Sequence, residues 1–211
     1  MALTYLTEMG QPTNLRAPKL RKPGIRRMRK FARRPWLFFF LAPVLALTLC
    51  AQNKSGEKLA PYFPTPETIV DKMLELGGLR PGEKMYDLGS GDGRIVIMAA
   101  RKYKADATGV ELDESLYRQS SERIKTLGLA PTARIILGDL LQQDYSSADL
   151  LTIYLLPVAI DKVTPIFEKQ LKKGARVVAH DFEFPAWTPA KSVDIDDDGE
   201  GRSHRLFLYK R

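Results

Sequence analysis

The first regular pattern of hydrophobic and polar positions follows a proline-rich segment that ends at Pro66. Apolar residues recur there at helical spacing and stop at Gly77, which predicts a first helix over about residues 66–76. Thr65 and Pro66 are the residue types that favour the N-cap and the first helical position. The apolar stripe of this helix consists of Ile69, Val70, Met73 and Leu74.

Beyond this helix, short apolar runs of strand type alternate with longer amphipathic runs. Strands are predicted at 84–88, 107–111, 134–137, 150–155 and 175–182. Helices are predicted near 93–103, 113–127 and 158–171. This alternation is typical of a parallel sheet with helices on both faces. Residues 191–195 and 204–209 flank a polar turn and predict a terminal antiparallel hairpin, so we expect an α/β, Rossmann-like fold with a seven-stranded sheet.

Charge divides the chain into a basic leader and a nearly neutral remainder. Residues 1–34 hold ten of the 33 Lys and Arg residues and one of the 25 acidic residues. The remainder therefore carries 23 bases and 24 acids, although the whole chain has a formal charge of +8. A folded part without excess positive charge lacks the electrostatic attraction on which nucleic-acid binding depends. We expect no nucleic-acid partner.

An apolar segment follows the basic leader and predicts a membrane anchor or a signal peptide at residues 35–51. Its apolar run of 16 residues is short for a bilayer span and long for a signal peptide, so both interpretations stay open. Initiation at Met28 would give a typical signal-peptide start, and an Arg-rich leader would also suit mitochondrial import. Residues 52–60 read as a polar linker, and 61–211 as one domain that is associated with a membrane.

A glycine-rich loop, Asp-Leu-Gly-Ser-Gly-Asp-Gly-Arg at 87–94, lies between the first strand and the next helix. Its glycines allow close backbone approach to a ligand, and the helix start leaves amides free to donate. A dinucleotide-binding turn, Gly-x-Gly-x-x-Gly, would need a third glycine at position 94, where this sequence has arginine. An acid directly before the loop suits the cationic aminoacyl end of S-adenosylmethionine by charge complementarity. The loop therefore predicts a site for this cofactor that includes Asp87, Gly89, Ser90 and Gly91.

Acidic residues also end the second and third predicted strands. Glu111 can accept hydrogen bonds from both ribose hydroxyls, and Asp139 can accept one from the adenine amino group. Leu112 can pack against the adenine, and Leu140 is assigned to the same site. Because open α/β sheets bind ligands at the carboxyl ends of their strands, we expect these residues to lie close together.

Three segments resemble a known family: Pro-Tyr-Phe-Pro-Thr-Pro at 61–66, the glycine loop, and Val-Val-Ala-His-Asp-Phe-Glu-Phe-Pro-Ala-Trp at 177–187. They are similar to the archaeal broad-specificity protein lysine methyltransferase and its mitochondrial relatives, which modify the ATP synthase c-subunit and the adenine nucleotide carrier. The likeness covers about residues 60–211. It implies a class I methyltransferase that transfers methyl groups from S-adenosylmethionine to lysine side chains of a protein. The mitochondrial members also carry an N-terminal membrane segment, so the layout here is similar to theirs. Their substrates imply that the lysine to be methylated belongs to a membrane protein.

The resemblance also implies site residues outside the glycine loop. It places Tyr62, Pro64 and Thr65 over the cofactor. The residues available to line the lysine pocket, which we predict to be catalytic, are Tyr154, Glu183 and Trp187. His180 lies within a predicted strand, where a hydrogen-bonded structural histidine is expected. Residues 154–157 read Tyr-Leu-Leu-Pro where amide-methylating relatives carry an Asn-Pro-Pro-Tyr-like motif, which argues against nucleobase or glutamine substrates.

Other functional classes are excluded or kept as alternatives. Two histidines and one cysteine give no metal-ligand spacing, so no metal is predicted. The acidic run 194–199 begins like a calcium loop, but Arg205 occupies the position of its bidentate glutamate, so a solvated hairpin turn is expected. We expect a monomer that acts on protein lysine. A small-molecule or lipid-linked methyltransferase, or an inactive exported binding protein, would share the same loop.

Overall fold

The computed structural model describes residues 62–211. The leader predicted at 1–34, the apolar segment at 35–51 and the linker at 52–60 lie outside the described residues. Among the residues described, no helix combines the length and the apolar character that crossing a bilayer requires.

Seven strands form one mixed sheet at the centre of the described domain. They are β1 Lys84–Leu88, β2 Asp106–Glu111, β3 Ala133–Leu137, β4 Leu150–Ile153, β5 Arg176–His180, β6 Lys191–Ile195 and β7 His204–Lys210. Their order across the sheet is β3-β2-β1-β4-β5-β7-β6. The first five strands are parallel, and β7 lies antiparallel between β5 and β6. The predicted seven-stranded α/β fold with a terminal hairpin is confirmed.

Helices cover both faces of the sheet. They are α1 Glu67–Leu76, α2 Arg94–Tyr103, α3 Glu114–Thr126 and α4 Pro157–Gln170, with a short 3-10 helix at Leu140–Gln142. Successive strand residues point to opposite faces, so Val178 packs with α1 and α2 whereas Val177 packs with α4. The central strands are thus buried on both sides, which holds their carboxyl ends in fixed relative positions.

The start of α1 differs from the prediction. Pro66 is itself the N-cap residue, with φ −54° and ψ 143°, and no side chain caps the helix. Thr65 Oγ1 lies instead 3.4 Å from Nδ1 of His180. The predicted capping role of Thr65 is therefore wrong, because a contact with β5 takes its hydroxyl away from the helix amides.

Strands β4 and β5 each end two residues before their predicted ends. Pro157 begins α4, so residues 154–156 form a short connection at the carboxyl edge of the sheet. After β5, Asp181 adopts a left-handed conformation with φ 61°. Tyr154 and Phe182 therefore lie outside the strands, in connections at the carboxyl edge of the sheet.

Candidate active site

One cleft of about 470 Å³ lies along the carboxyl ends of β1, β2 and β4. Its walls are formed by the segment before α1, the glycine loop, and the connections that follow β2, β3 and β4. The structure brings all eleven predicted cofactor residues to this cleft: Tyr62, Pro64, Thr65, Asp87, Gly89, Ser90, Gly91, Glu111, Leu112, Asp139 and Leu140. Their contacts show what each contributes.

Asp87 places a buried carboxyl group at the centre of the cleft. Its side chain accepts a hydrogen bond of 2.8 Å from Oγ1 of Thr152 on the neighbouring strand β4. Burial raises the pKa of Asp87 to about 7, and the nearby Glu111 carboxylate contributes to this rise, against the effect of the Thr152 hydrogen bond. A cationic group beside Asp87 would offset this cost of ionisation, as the amino group of S-adenosylmethionine can.

Glu111 ties the glycine loop to the end of β2. Oε2 accepts a 2.7 Å hydrogen bond from the amide of Gly91, and Oε1 accepts one of 2.8 Å from the amide of Asp113. Each carboxylate oxygen keeps a second lone pair for a ligand hydroxyl. Glu111 is therefore held in a single orientation that leaves acceptor capacity for a ribose.

The segment before α1 lies directly on the glycine loop. A Cβ atom at Gly91, where φ is 53°, would lie only 2.6 Å from a ring carbon of Tyr62, so this approach requires glycine. Arg94 Nη1 donates a 2.9 Å hydrogen bond to the Thr65 carbonyl, and the same guanidinium binds both carboxylate oxygens of Asp92. These contacts hold residues 62–65 against the cleft, where the family resemblance placed them.

Two further features of the cleft fit S-adenosylmethionine. Asp139 lies at the β3 side, and its Oδ1 accepts a 2.8 Å hydrogen bond from the Leu141 amide, which fixes the carboxylate at the cleft wall. The hydroxyl of Ser90 is buried in the glycine loop without a hydrogen-bond partner among the described residues. A ligand polar group would satisfy it. Together with the desolvated Asp87, the donor and acceptor set matches the aminoacyl, ribose and adenine parts of this cofactor.

Three aromatic rings border the other end of the cleft, and we call them the aromatic collar: Phe63, Tyr154 and Phe182. The rings of Phe63 and Tyr154 meet edge to face at 6.5 Å, and those of Tyr154 and Phe182 stack at 6.3 Å. Phe63 and Phe182 were not predicted as site residues, although each lies inside a segment on which the family resemblance rests. The collar is apolar and adjoins the cofactor-binding wall.

Tyr154 is the predicted catalytic residue that reaches the cleft. Its ring packs on His180 with centroids 4.0 Å apart. Burial raises the pKa of the Tyr154 hydroxyl, and the negative charge of the nearby Asp181 raises it further. Tyr154 is thus protonated at neutral pH, with its hydroxyl near the Asp181 carboxylate.

The structure does not bring Glu183 and Trp187 to the cleft. Trp187 stacks on Phe184 with centroids 4.4 Å apart, and its Nε1 donates a 3.0 Å hydrogen bond to Glu168 on α4. Glu183 is exposed and does not line the cleft. The turn at Asp181 directs Phe182 into the cleft and takes the following residues away from it.

His180 belongs to a buried chain of hydrogen bonds. Its Nε2 lies 2.8 Å from Nδ1 of His204, whose Nε2 lies 3.0 Å from Oδ2 of Asp198. His180 is 1% exposed and has partners for both ring nitrogens, as expected for a structural histidine. The prediction of a solvated turn is wrong for Asp198, because its carboxylate points inward and contacts His204. The hydrogen bond from His204 lowers the pKa of Asp198 to about 2.

Comparisons with known proteins agree with this geometry. A family model described as the ANTKMT methyltransferase domain matches residues 87–191. A protein-lysine N-methyltransferase of Saccharolobus islandicus is 37% identical over 150 residues, which are 71% of this chain and 92% of that protein. The chain belongs to this methyltransferase family. The predicted family, enzyme class and cofactor, S-adenosylmethionine, are confirmed.

Two other relatives are similar to this chain over different shares of their own length. The human ATP synthase c-subunit lysine N-methyltransferase is 33% identical over 129 residues, which are 61% of this methyltransferase and 54% of the human protein. The chain thus spans about half the length of that relative. A crystal structure described as an RNA methyltransferase from Salinibacter ruber, with S-adenosyl-L-homocysteine, has 40% identity and a TM-score of 0.66, and covers 70% of this chain and 93% of its own.

Proposed function

We propose that this methyltransferase transfers a methyl group from S-adenosylmethionine to Nζ of a lysine side chain in a protein. The observation that carries the proposal is the aromatic collar beside the cofactor-binding wall. Aromatic faces attract an alkylammonium group and pack against its methylene stem. A lysine side chain is the protein group that presents both.

The order of the strands assigns the two ends of the cleft. Asp139 follows β3 and Glu111 ends β2 at one end of the cleft, and Asp87 lies near the end of β1 in the middle. Tyr154 and Phe182 of the collar follow β4 and β5 at the opposite end. Adenosine held by Glu111 and an aminoacyl group held near Asp87 therefore leave the collar for the methyl acceptor.

Catalysis by these residues consists mainly of alignment and exclusion of water. S-adenosylmethionine supplies an activated methyl group on a sulfonium. The lysine ammonium loses one proton to water, Nζ then bonds the methyl carbon, and the carbon–sulfur bond breaks to leave S-adenosylhomocysteine. Once the lysine has entered the cleft, the loss of water and the neighbouring sulfonium charge both lower its pKa and favour the neutral amine. The protonated Tyr154 hydroxyl borders the collar, and its oxygen can accept a hydrogen bond from the amine N–H and orient the lone pair.

We also propose that residues 35–51 hold the enzyme at a membrane and that its substrate is a membrane protein. The apolar run after a basic leader supports this, since such a junction suits an anionic membrane surface. Relatives named for the ATP synthase c-subunit and adenine nucleotide translocase support it as well. Carbonate extraction of membranes and protease protection of a C-terminally tagged full chain test it; a chain found only in the soluble fraction would contradict it.

The catalytic proposal is tested with the full chain and labelled S-adenosylmethionine on membrane-protein extracts, followed by mass spectrometry of modified lysines. Tyr154→Phe should bind the cofactor as the wild type does, whereas kcat falls about tenfold through loss of one hydrogen bond. The matched control is Tyr117→Phe on α3, which does not line the cleft. Unchanged kcat in Tyr154→Phe would exclude the assigned role.

The description of the Salinibacter relative supplies a second candidate, methylation of RNA. Its 40% identity is the observation that favours this function. The nearly neutral charge of residues 35–211 argues against it, because RNA binding depends on cationic surface. The labelled extract is therefore divided into protein and RNA fractions. Label in RNA alone would replace the lysine proposal.

A further inference from the structure

Behind the collar, two histidines and one aspartate converge on a single point. We propose that His180, Asp181 and His204 form a binding site for one divalent transition-metal ion of the Zn²⁺ class. The proposal goes beyond methyl transfer, since no step of that reaction needs a metal. The three residues lie at the end of β5 and the start of β7, and they are neighbours only because these strands pair antiparallel.

The distances among the three ligand atoms are close to those of a tetrahedral metal site. Nε2 of His180 and Nδ1 of His204 are 2.8 Å apart. Oδ2 of Asp181 lies 3.4 Å from the first and 3.6 Å from the second of these nitrogens. Ligands bound at about 2.0–2.1 Å to a tetrahedral Zn²⁺ lie roughly 3.3 Å apart. Binding requires only that the two nitrogens, now joined by a hydrogen bond, separate by a few tenths of an ångström.

In each imidazole, the ring nitrogen that faces away from the site already has a hydrogen-bond partner, as in metal-bound histidines. His204 donates from Nε2 to Asp198, which leaves a lone pair on Nδ1 toward the site. His180 Nδ1 faces the Thr65 hydroxyl at 3.4 Å. Because a hydroxyl can donate or accept, it satisfies His180 when the proton is on either ring nitrogen. His180 can therefore release Nε2 to a metal without losing its partner.

The residue types and the access route select the class of ion. Two imidazoles and one carboxylate suit Zn²⁺ and similar first-row ions better than Ca²⁺ or Mg²⁺, which prefer oxygen ligands. Asp181 and His204 border a solvent-open depression with Asp194 and Asp196, through which an ion can enter. Three protein ligands leave the fourth position for water.

Metal binding would also reach the methyl-acceptor end of the cleft. The negative charge of Asp181 acts on the nearby Tyr154 hydroxyl, and a metal bound to that carboxylate would neutralise it. Zn²⁺ should therefore reduce kcat while leaving the affinity for S-adenosylmethionine unchanged. This second effect rests on the proposed function, whereas binding of the metal does not.

Binding is measured with the chelator-treated full chain carrying Cys50→Ser, which removes the single cysteine. Titration calorimetry with Zn²⁺ should give one equivalent, and Co²⁺ should give the visible d–d absorption of a tetrahedral site. Asp181→Asn should weaken Zn²⁺ binding by at least tenfold, and Asp198→Asn should weaken it by about 10- to 100-fold. Asp194→Asn, which alters an exposed acid of the same depression, is the matched control and should bind as the wild type does.

Cofactor binding and thermal unfolding of each variant verify that it is folded. No Zn²⁺ binding, or equal affinity in Asp181→Asn and the parent chain, would overturn the metal site. Metal binding without any change in kcat would retain the site and remove only its link to Tyr154. If the chain binds Zn²⁺ but transfers no methyl group to protein even without the metal, the proposed function alone is contradicted.

Discussion

Replacing Asp87 by asparagine measures how much the buried carboxylate at the cofactor site lowers the free energy of unfolding. Thr152 Oγ1 can donate to an amide oxygen as it does to the carboxylate, so the hydrogen bond of 2.8 Å is retained. The side chains are also nearly equal in volume. The substitution therefore removes the ionisation of Asp87 and little else.

The magnitude follows from the pKa of Asp87, which burial raises from 3.8 to about 7. Between these two pH values the unfolded chain has lost the proton and the folded chain keeps it. Stability therefore falls as pH rises, by about 1.4 kcal/mol per pH unit, and levels off above pH 7. The total is about 4 kcal/mol relative to Asp87→Asn, which has no such proton.

The assay is urea unfolding of the chain without cofactor at a series of pH values, for the wild type and Asp87→Asn. The free energy of unfolding of the wild type, relative to the variant, should fall by about 2 kcal/mol from pH 5 to pH 7. With S-adenosylmethionine the affinity of the wild type should fall toward lower pH, because the cofactor ammonium favours ionised Asp87. A difference in unfolding free energy that stays constant from pH 5 to pH 8 would refute the reasoning.

Three other substitutions test separate contacts. Gly91→Ala puts a Cβ atom 2.6 Å from the Tyr62 ring and should weaken cofactor binding at least tenfold in calorimetry; Gly82→Ala, whose Cβ would meet nothing within 4 Å, is the control and should leave it unchanged. Arg94→Lys loses the guanidinium link to the segment before α1 and should raise the cofactor Kd about tenfold with little change in melting temperature; an unchanged Kd would contradict it. Arg176→Ala removes side-chain hydrogen bonds to Gly77, Gly78, Glu83 and Asp149 and should lower the free energy of unfolding, measured in urea, by about 2–3 kcal/mol. A loss under about 1 kcal/mol would contradict this prediction.

The sheet and the cofactor wall could be predicted because both depend on local signals. The spacing of apolar residues predicted every helix and strand of the described domain to within a few residues at each end, apart from the short 3-10 helix. Acids at successive strand ends then had to lie together, since parallel strands share one carboxyl edge. Asp87, Glu111 and Asp139 line one cleft for this reason.

The methyl-acceptor end was harder to predict because it depends on one backbone angle. Residues 175–182 read as one strand, but Asp181 is left-handed at φ 61°, which a non-glycine residue adopts only when its surroundings hold it there. Phe182 consequently reaches the cleft, and Trp187 packs against α4. His180 and His204 are 24 residues apart, so the antiparallel pairing of β5 and β7 that joins them leaves no local spacing signal.

The position of β7 also determines when this enzyme can become active during its synthesis. Of the seven strands β7 emerges last from the ribosome, yet it lies between β5 and β6. Until it inserts, β5 has an unpaired edge and β6 has no partner in the sheet, which is the kind of exposed edge that invites aggregation. The cofactor wall on β1, β2 and β3 can form earlier. A nascent chain could therefore bind its cofactor before the side of the sheet that carries His204 exists.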